Sequence, residues 1–310
     1  MIRYAFTADQ LVADIAADDV AKKRKVGWIA GARKATAALR QSPKSKIVSR
    51  WSEIKSVYTK RQFGKCAFCE RLLGNHELSA VEFDVEHFRP KNAVKPWPSP
   101  EIMAELGLDP NFPRSTAKGP GYRYLAYHPL NYASSCKTCN SRLKGNFFPI
   151  AGKPSYQGTD PVALAKSERP YLVYPLGNFD EDPEELIAFE GYRATPAAPQ
   201  KDKFRHARGQ VLIAFFRLNE ERDDLLLLRA KQLDNLYTKL ELLQVTKGPK
   251  RKDILKDIKR LAALQNDHAG CVRHLLKRYG DPERPAPITR KLAIEDLKMA
   301  REYVRSKLPA

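Results

Sequence analysis

Residues 66–69 read CAFC, residues 136–140 read CKTCN, and residues 83–91 between them read FDVEHFRPK. Two thiolates separated by two residues can chelate one ion from a single tight turn. Two such pairs, Cys66 with Cys69 and Cys136 with Cys139, therefore supply the four soft ligands of a tetrahedral zinc site. A redox dithiol is the competing reading of either pair alone, and the recurrence of the spacing favours metal. Four thiolates close the coordination shell, so Zn2+ here is expected to be structural. Cys271, in HAGCVRHLL on a helical pattern, reads as a small buried apolar residue.

Working outward, Ile47, Trp51, Ile54, Val57 and Tyr58 fall at helical spacing, which predicts a helix over 42–62 leading into the first pair. Another is expected over 8–24, opened by Thr7 and ending in the charge run at Lys22 to Lys25, which reads as a solvated face. AVEFDVEHFR at 80–89 reads as a strand stopped by Pro90. Residues 92–122, rich in Pro, Gly and Ser, read as a long irregular insertion. The second cysteine pair is expected to open a short helix from Asn140 to Gly145. YLVYPL at 171–176 and LIAFEGYRA at 186–194 read as two strands.

Beyond residue 200 the pattern turns helical, with FRHARGQVLIAFFRL, a long amphipathic segment from Asn219, a break at KGPKRK over 247–252, and helices over 253–279 and 288–307. Leu225, Leu226, Leu233, Leu236, Leu240 and Leu243 form a stripe that reads as core, with a partner-docking surface as the alternative. The expected organisation is a helical region over 1–60, a compact core over 61–150, a β and loop extension over 151–200, and a helical region over 201–310.

The 310 residues are 43% hydrophobic, enough for a buried interior, and 29% charged with no apolar run of membrane-spanning length. Fifty-five Lys and Arg against 36 Asp and Glu give a net charge of +19, which points to a polyanionic partner without choosing between DNA and RNA. The opening MIRYAFTADQLVADIAADD has no secretory pattern, so a cytoplasmic location is expected, with no membrane partner.

An acid and a histidine in tandem (Glu86, His87), a later Asn131, and Cys-x-x-Cys followed at once by Asn140 resemble the HNH endonuclease motif. CAFCE, EHFRPK, CNSRLKG and FFP further resemble the retron-associated and Septu-type (PtuB-like) HNH nucleases of bacterial antiphage defence. The resemblance covers roughly residues 46–150. It implies an α+β fold with a ββα-metal nuclease core, and an endonuclease that hydrolyses nucleic acid, DNA before RNA, with a co-encoded ATPase as partner. It makes His87 the general base, Asn131 the residue orienting the catalytic loop, and Glu86 and Asn140 ligands of a catalytic metal.

The chemistry suits these residue types. Phosphodiester hydrolysis needs a base for water and a cation for the charge on phosphate, and His87 has an ordinary pKa near neutrality. On a strand Glu86 projects opposite to His87. Where HNH proteins often carry Asp and a final His, this chain has Glu86 and Asn140, a hard oxygen pair that suits Mg2+ or Mn2+ better than Zn2+. Asp84, two residues before Glu86 on the same face, is either a further ligand or a solvated carboxylate. Arg89, Lys91 and Lys144 flank the centre as candidate phosphate contacts. His76, His128, His206, His268 and His274 have no comparable setting. The alternative functions are a non-catalytic zinc-stabilised module that binds nucleic acid or protein, and a toxin of the same fold that cleaves RNA such as tRNA.

Overall fold

A computed structural model of the chain describes residues 1–73, 83–284 and 286–308, so the start of the strand expected over 80–89, and His76, lie outside the described residues. Strand β1 (Phe83–His87) pairs antiparallel with β2 (Tyr132–Cys136), Phe83 opposite Cys136 and His87 opposite Tyr132. A lone two-stranded ribbon is marginal in water. This one is held along its outer edge by Gln62, a fully buried amide that follows the helix Lys55–Arg61. Gln62 Oε1 accepts the Ser134 N–H at 2.7 Å, and its Nε2 donates to the Ser134 and Lys65 carbonyls at 2.8 and 2.9 Å. One side chain thus satisfies edge groups that a further strand would otherwise pair.

After β2 the chain enters a π-helical turn, Thr138–Lys144, rather than the helix expected from Asn140. Gly145 closes it at φ +44°, a conformation that glycine adopts without steric cost, and its N–H reaches the Asn140 carbonyl at 2.7 Å. That is one residue further back than in an α-helix, and such widened turns recur at functional sites.

The N-terminal half is helical. Helix α1 (Ala8–Ala21) opens at Thr7 as the sequence suggests, and the structure adds Gln10, which caps it reciprocally with Thr7. Helix α2 (Trp28–Gln41) was not anticipated; Trp28 is fully buried and donates from Nε1 to the Arg50 carbonyl at 2.8 Å. The helix expected over 42–62 is cut to a 3-10 turn, Trp51–Ile54, and α3 (Lys55–Arg61). Residues 42–50 are not helical, because their carbonyls serve tertiary donors instead, Val48 the Tyr127 hydroxyl at 2.8 Å and Arg50 the Trp28 indole. Within the charge run, Arg24 is not solvated but turned onto Asp18 and Asp19. The insertion at 92–122 is mostly irregular, with one short helix, α4 (Pro100–Glu105).

Helix α5 (Pro161–Glu168) follows the cysteine-bearing stretch. YLVYPL is no strand: Leu172, Val173, Tyr174 and Leu176 are buried, but Pro175 has no N–H for a ladder, and only Leu176 forms a bridge, to Tyr4. The second expected strand is a hairpin, β3 (Ile187–Glu190) and β4 (Arg193–Pro196), turned at Gly191 with φ +54°. Four of the remaining helices are α6 (Lys203–Phe215), α7 (Leu225–Val245), α8 (Pro249–Leu261) and α9 (Ala269–Tyr279), and α10 (Thr289–Ser306) packs along α7. The helix expected over 253–279 is therefore two. All six leucines of the stripe are buried, so the stripe is core and not a docking surface. Buried apolar residues from Met1 to Val304 form one contiguous core. Among the described residues no helix is long and apolar enough to cross a membrane.

The core encloses polar groups as well. Glu70 takes the Met1 amino group as ion partner and accepts the Gly270 N–H at 2.9 Å. Nearby, His268 is buried with no hydrogen bond to either ring nitrogen among the described residues. Burial, then the Arg229 guanidinium, pushes its pKa down to about 3, against the opposing pull of Glu70. A histidine held neutral this way binds fewer protons folded than unfolded between about pH 3 and its ordinary value of about 6.5, so stability falls as pH falls through that window. Asp267, pushed up to about 6 by burial, acts in the opposite sense. The informative measurement is thus a comparison of urea midpoints for wild type and His268→Asn from pH 7 to pH 4. Asn tolerates the local φ of +48°, and the variant should lose less stability on acidification than the wild type.

Candidate metal centre and active site

The turn after α3 and the turn after β2 meet end to end. Cys66, Cys69, Cys136 and Cys139 are all buried and unbridged, with their sulfurs within 4.8 Å of one another. A tetrahedral zinc with Zn–S bonds of about 2.3 Å needs sulfur pairs about 3.8 Å apart; Cys69 and Cys136 are 3.9 Å apart. The Cys139 N–H points at Cys136 Sγ from 3.4 Å, as in a metal knuckle. Burial opposes ionisation of Cys66, but hydrogen bonds from the other three cysteines outweigh it and push that thiol well down. Cys69 and Cys139 are pushed up, chiefly by Cys136. Arg222 Nη2, 3.5 Å from Cys139 Sγ, offsets the surplus charge of four thiolates around one divalent ion. The residues fit zinc.

Glu86 and His87 leave β1 on opposite sides, as strand geometry requires. Glu86 meets Lys144 from the π-helical turn: Nζ lies 2.6 Å from Glu86 Oε1 and 2.9 Å from the His87 carbonyl oxygen, and the lysine is fully buried. Burial holds the Glu86 carboxyl above its usual range even with Lys144 against it. His87 faces the other way, with Trp51 and Tyr132 edge-on to its ring at 4.6 and 5.0 Å. Its Nε2 is 3.1 Å from the Ala126 carbonyl oxygen. A carbonyl only accepts, so Nε2 carries the proton and Nδ1 presents a bare lone pair. Burial, then Lys91 and Lys144, push the His87 pKa well below its ordinary value, so the ring is neutral. Lys91 is half-buried, its Nζ 4.4 Å from the centre of the Trp51 ring.

The structure thus brings Glu86, His87, Lys91 and Lys144 together. Asn131 is fully buried and uses its whole amide on the loop after β1. Oδ1 accepts the Arg89 N–H at 2.8 Å, and Nδ2 donates to the carbonyls of Arg89 and Leu125 at 3.0 and 3.1 Å. Arg89 stands apart from the expected phosphate contacts. It is 2% exposed, bound through Nε to Glu168 at 3.1 Å and set over the rings of Phe148 and Tyr122. Phosphate cannot reach it there. Asp84 is exposed and Asn140 half-buried, and among the described residues neither side chain is bonded to Glu86. Glu86, the buried carboxylate of this group, is already paired with Lys144, so as it stands this donor set does not fit a divalent ion. Trp51, Gln62, Glu168, Arg222 and the Ala126 carbonyl, all part of the support, carry no local signal in sequence.

No family model matches the chain, and no solved structure matches it. The chain is similar to a Septu protein. Septu protein PtuB of Bacillus mycoides (strain KBAB4) is 27% identical over 237 residues, which cover 75% of this chain and 70% of that protein. A match of that length exceeds the stretch from the first cysteine pair to Gly145, so the likeness to the Septu protein is not confined to the zinc ligands.

Elemental analysis should find one zinc per chain. Cys66→Ser should lose it and lower the thermal midpoint sharply, because binding free energy of about 10–16 kcal/mol for such sites is folding free energy. Zinc-free wild type with an unchanged midpoint would contradict the assignment.

Proposed function

We propose that the protein hydrolyses phosphodiester bonds in nucleic acid, DNA before RNA, as the effector of an antiphage defence system of the Septu kind. The observation that carries this reading is His87, a neutral imidazole fixed in one tautomer by the Ala126 carbonyl with Nδ1 unprotonated beside two lysines. In the proposed reaction Nδ1 takes a proton from water, the resulting hydroxide forms a bond to phosphorus, and the bond to the leaving 3′ oxygen breaks, with solvent reprotonating that oxygen. Lys91, half-buried against Trp51, is the side chain placed to hold a phosphate oxygen; Lys144 acts from beneath through its charge. Asn131 is a positioning residue that fixes the loop after His87. The similarity to a Septu protein favours a co-encoded ATPase as partner.

The resemblance to HNH nucleases assigns Mg2+ or Mn2+ to Glu86 and Asn140, where such an ion would neutralise charge on the scissile phosphate. Lys144 competes for the same carboxylate. A zinc-stabilised binding module that does no chemistry is the second reading, favoured by the buried Glu86 and Lys144 pair, and the same assay separates the two. Supercoiled plasmid and bulk tRNA are incubated with the protein in Mg2+, Mn2+ or EDTA. His87→Ala should keep its zinc and lose about a hundredfold to ten-thousandfold in cutting rate. Wild-type cutting by that variant would remove the mechanism. If EDTA leaves wild-type cutting unchanged, the divalent ion drops out of the proposal.

A further inference from the structure

Behind the segment that holds His87 lies a cavity of about 520 Å3 between α1, α2 and residues 124–130. That is the size of pockets that enclose small organic molecules, about 300–1,000 Å3. Its walls are apolar, built from Leu11 and Val12 of α1, Ile29 and Ala37 of α2, and Pro129 and Leu130. Among the polar groups along it, the Thr36 and Tyr127 hydroxyls are already donated to the Ala32 and Val48 carbonyls. Arg33 and Arg40 lie seven residues apart on α2, about two helical turns or 10 Å, exposed and with no ion partner among the described residues. His128 Nδ1 accepts the Leu130 N–H at 3.1 Å, which places the ring proton on Nε2. Burial pushes the pKa of His128 down to about 4, so the ring stays a neutral donor.

No acid lines the cavity. The carboxylate acting on His128 from nearby, Asp160, is occupied as the cap of α5, accepting the Val162 and Ala163 N–H groups at 2.8 and 3.3 Å. The larger cavity beside α1 and α3, about 690 Å3, differs on this point, since Arg61 there is already paired with Asp14. A wall of apolar carbon with unpartnered donors and cations along its rim complements a ligand that carries only acceptors and negative charge at one end.

We propose that this cavity binds a small amphipathic anion, a carboxylate or phosphate monoester on an apolar body, with the body against Ile29 and Leu130 and the charge on Arg33 and Arg40. The wall it would press on is the segment whose Ala126 and Leu125 carbonyls hold His87 and Asn131. Binding itself requires nothing of the nuclease reading.

The test uses the full zinc-loaded chain and two fluorescent probes of one shape, anilinonaphthalene sulfonate, which is an anion, and phenylnaphthylamine, its uncharged counterpart. The wild type should bind the anion more tightly. Arg33→Gln combined with Arg40→Gln should weaken the anion by about tenfold or more, the worth of a charge-assisted contact, and leave the neutral probe unchanged. Ala37→Phe, which fills the cavity from an exposed helix position, should weaken both, with zinc content and circular dichroism unaltered in each variant. Absence of binding by the wild type, equal affinity of the glutamine variant, or full binding by Ala37→Phe would each overturn the proposal.

Discussion

Four buried cysteine sulfurs drawn from segments some seventy residues apart in sequence meet at this molecule's centre within 4.8 Å of one another, the geometry of a zinc site. The β1 and β2 pair offers only five residues a side, too little to persist alone. Cys136 ends β2 and stands opposite Phe83, so the cysteine cluster fixes one end of the ribbon while Gln62 secures its edge. Glu86 and His87 sit at the other end. A zinc contribution of about 10–16 kcal/mol is as large as the whole net stability of a typical domain, about 5–15 kcal/mol. A zinc held by these four sulfurs would therefore do more than fasten a turn: it would supply the support on which the placement of Glu86 and His87 depends.

What the sequence made legible follows from how local each signal is. Cys-x-x-Cys needs only one turn to be readable, and Thr7 opens a helix at its first turn. The leucine stripe of α7 repeats its face six times, enough for its burial to be expected. By contrast, the loss of helix over 42–50 depends on Trp28 and Tyr127 claiming carbonyls from remote parts of the chain. The apolar run at 171–176 has strand composition, yet Pro175 and the lack of a neighbour leave it as packed coil. Composition reports burial there correctly and conformation wrongly, because burial is a property of the residue and a ladder is a property of a pair.

The candidate site shows the same division. His87 is identifiable by type, but its tautomer is set by Ala126, and nothing in YLAYHPLN announces which carbonyl will turn inward. Asn131 is recognisable by its place before the second cysteine pair, while the three bonds that use its amide fully come from both sides of the loop. Glu86 was read as open to a metal because sequence gives no sign that Lys144, six residues past Thr138, is folded beneath it by the widened turn. An α-helix beginning at Asn140 would not have used the same five-residue hydrogen bond to Gly145, so the π geometry is part of how the lysine reaches the carboxylate.

Net charge needs the same correction. Not all of the 55 Lys and Arg side chains meet solvent. Arg89 is buried on Glu168, Arg208 on Asp180, Lys144 on Glu86, and Arg229 donates to the Leu218 carbonyl at 2.6 Å. Burying an ion costs several kcal/mol unless it is paired and hydrogen-bonded, which is why these cations sit on carboxylates or carbonyls and are unavailable to a polyanion. Other cations face water, among them Lys137 and Arg142 beside the candidate centre and Lys247, Lys250, Lys252, Lys256 and Lys259 on and before α8. Bulk attraction for a polyanion would therefore draw on both the C-terminal helices and the turn that carries Lys144. Of the three cations that sequence placed beside Glu86 and His87, two are structural partners and only Lys91 reaches the surface, so direct contact of those three with a phosphate comes down to one ammonium held against Trp51.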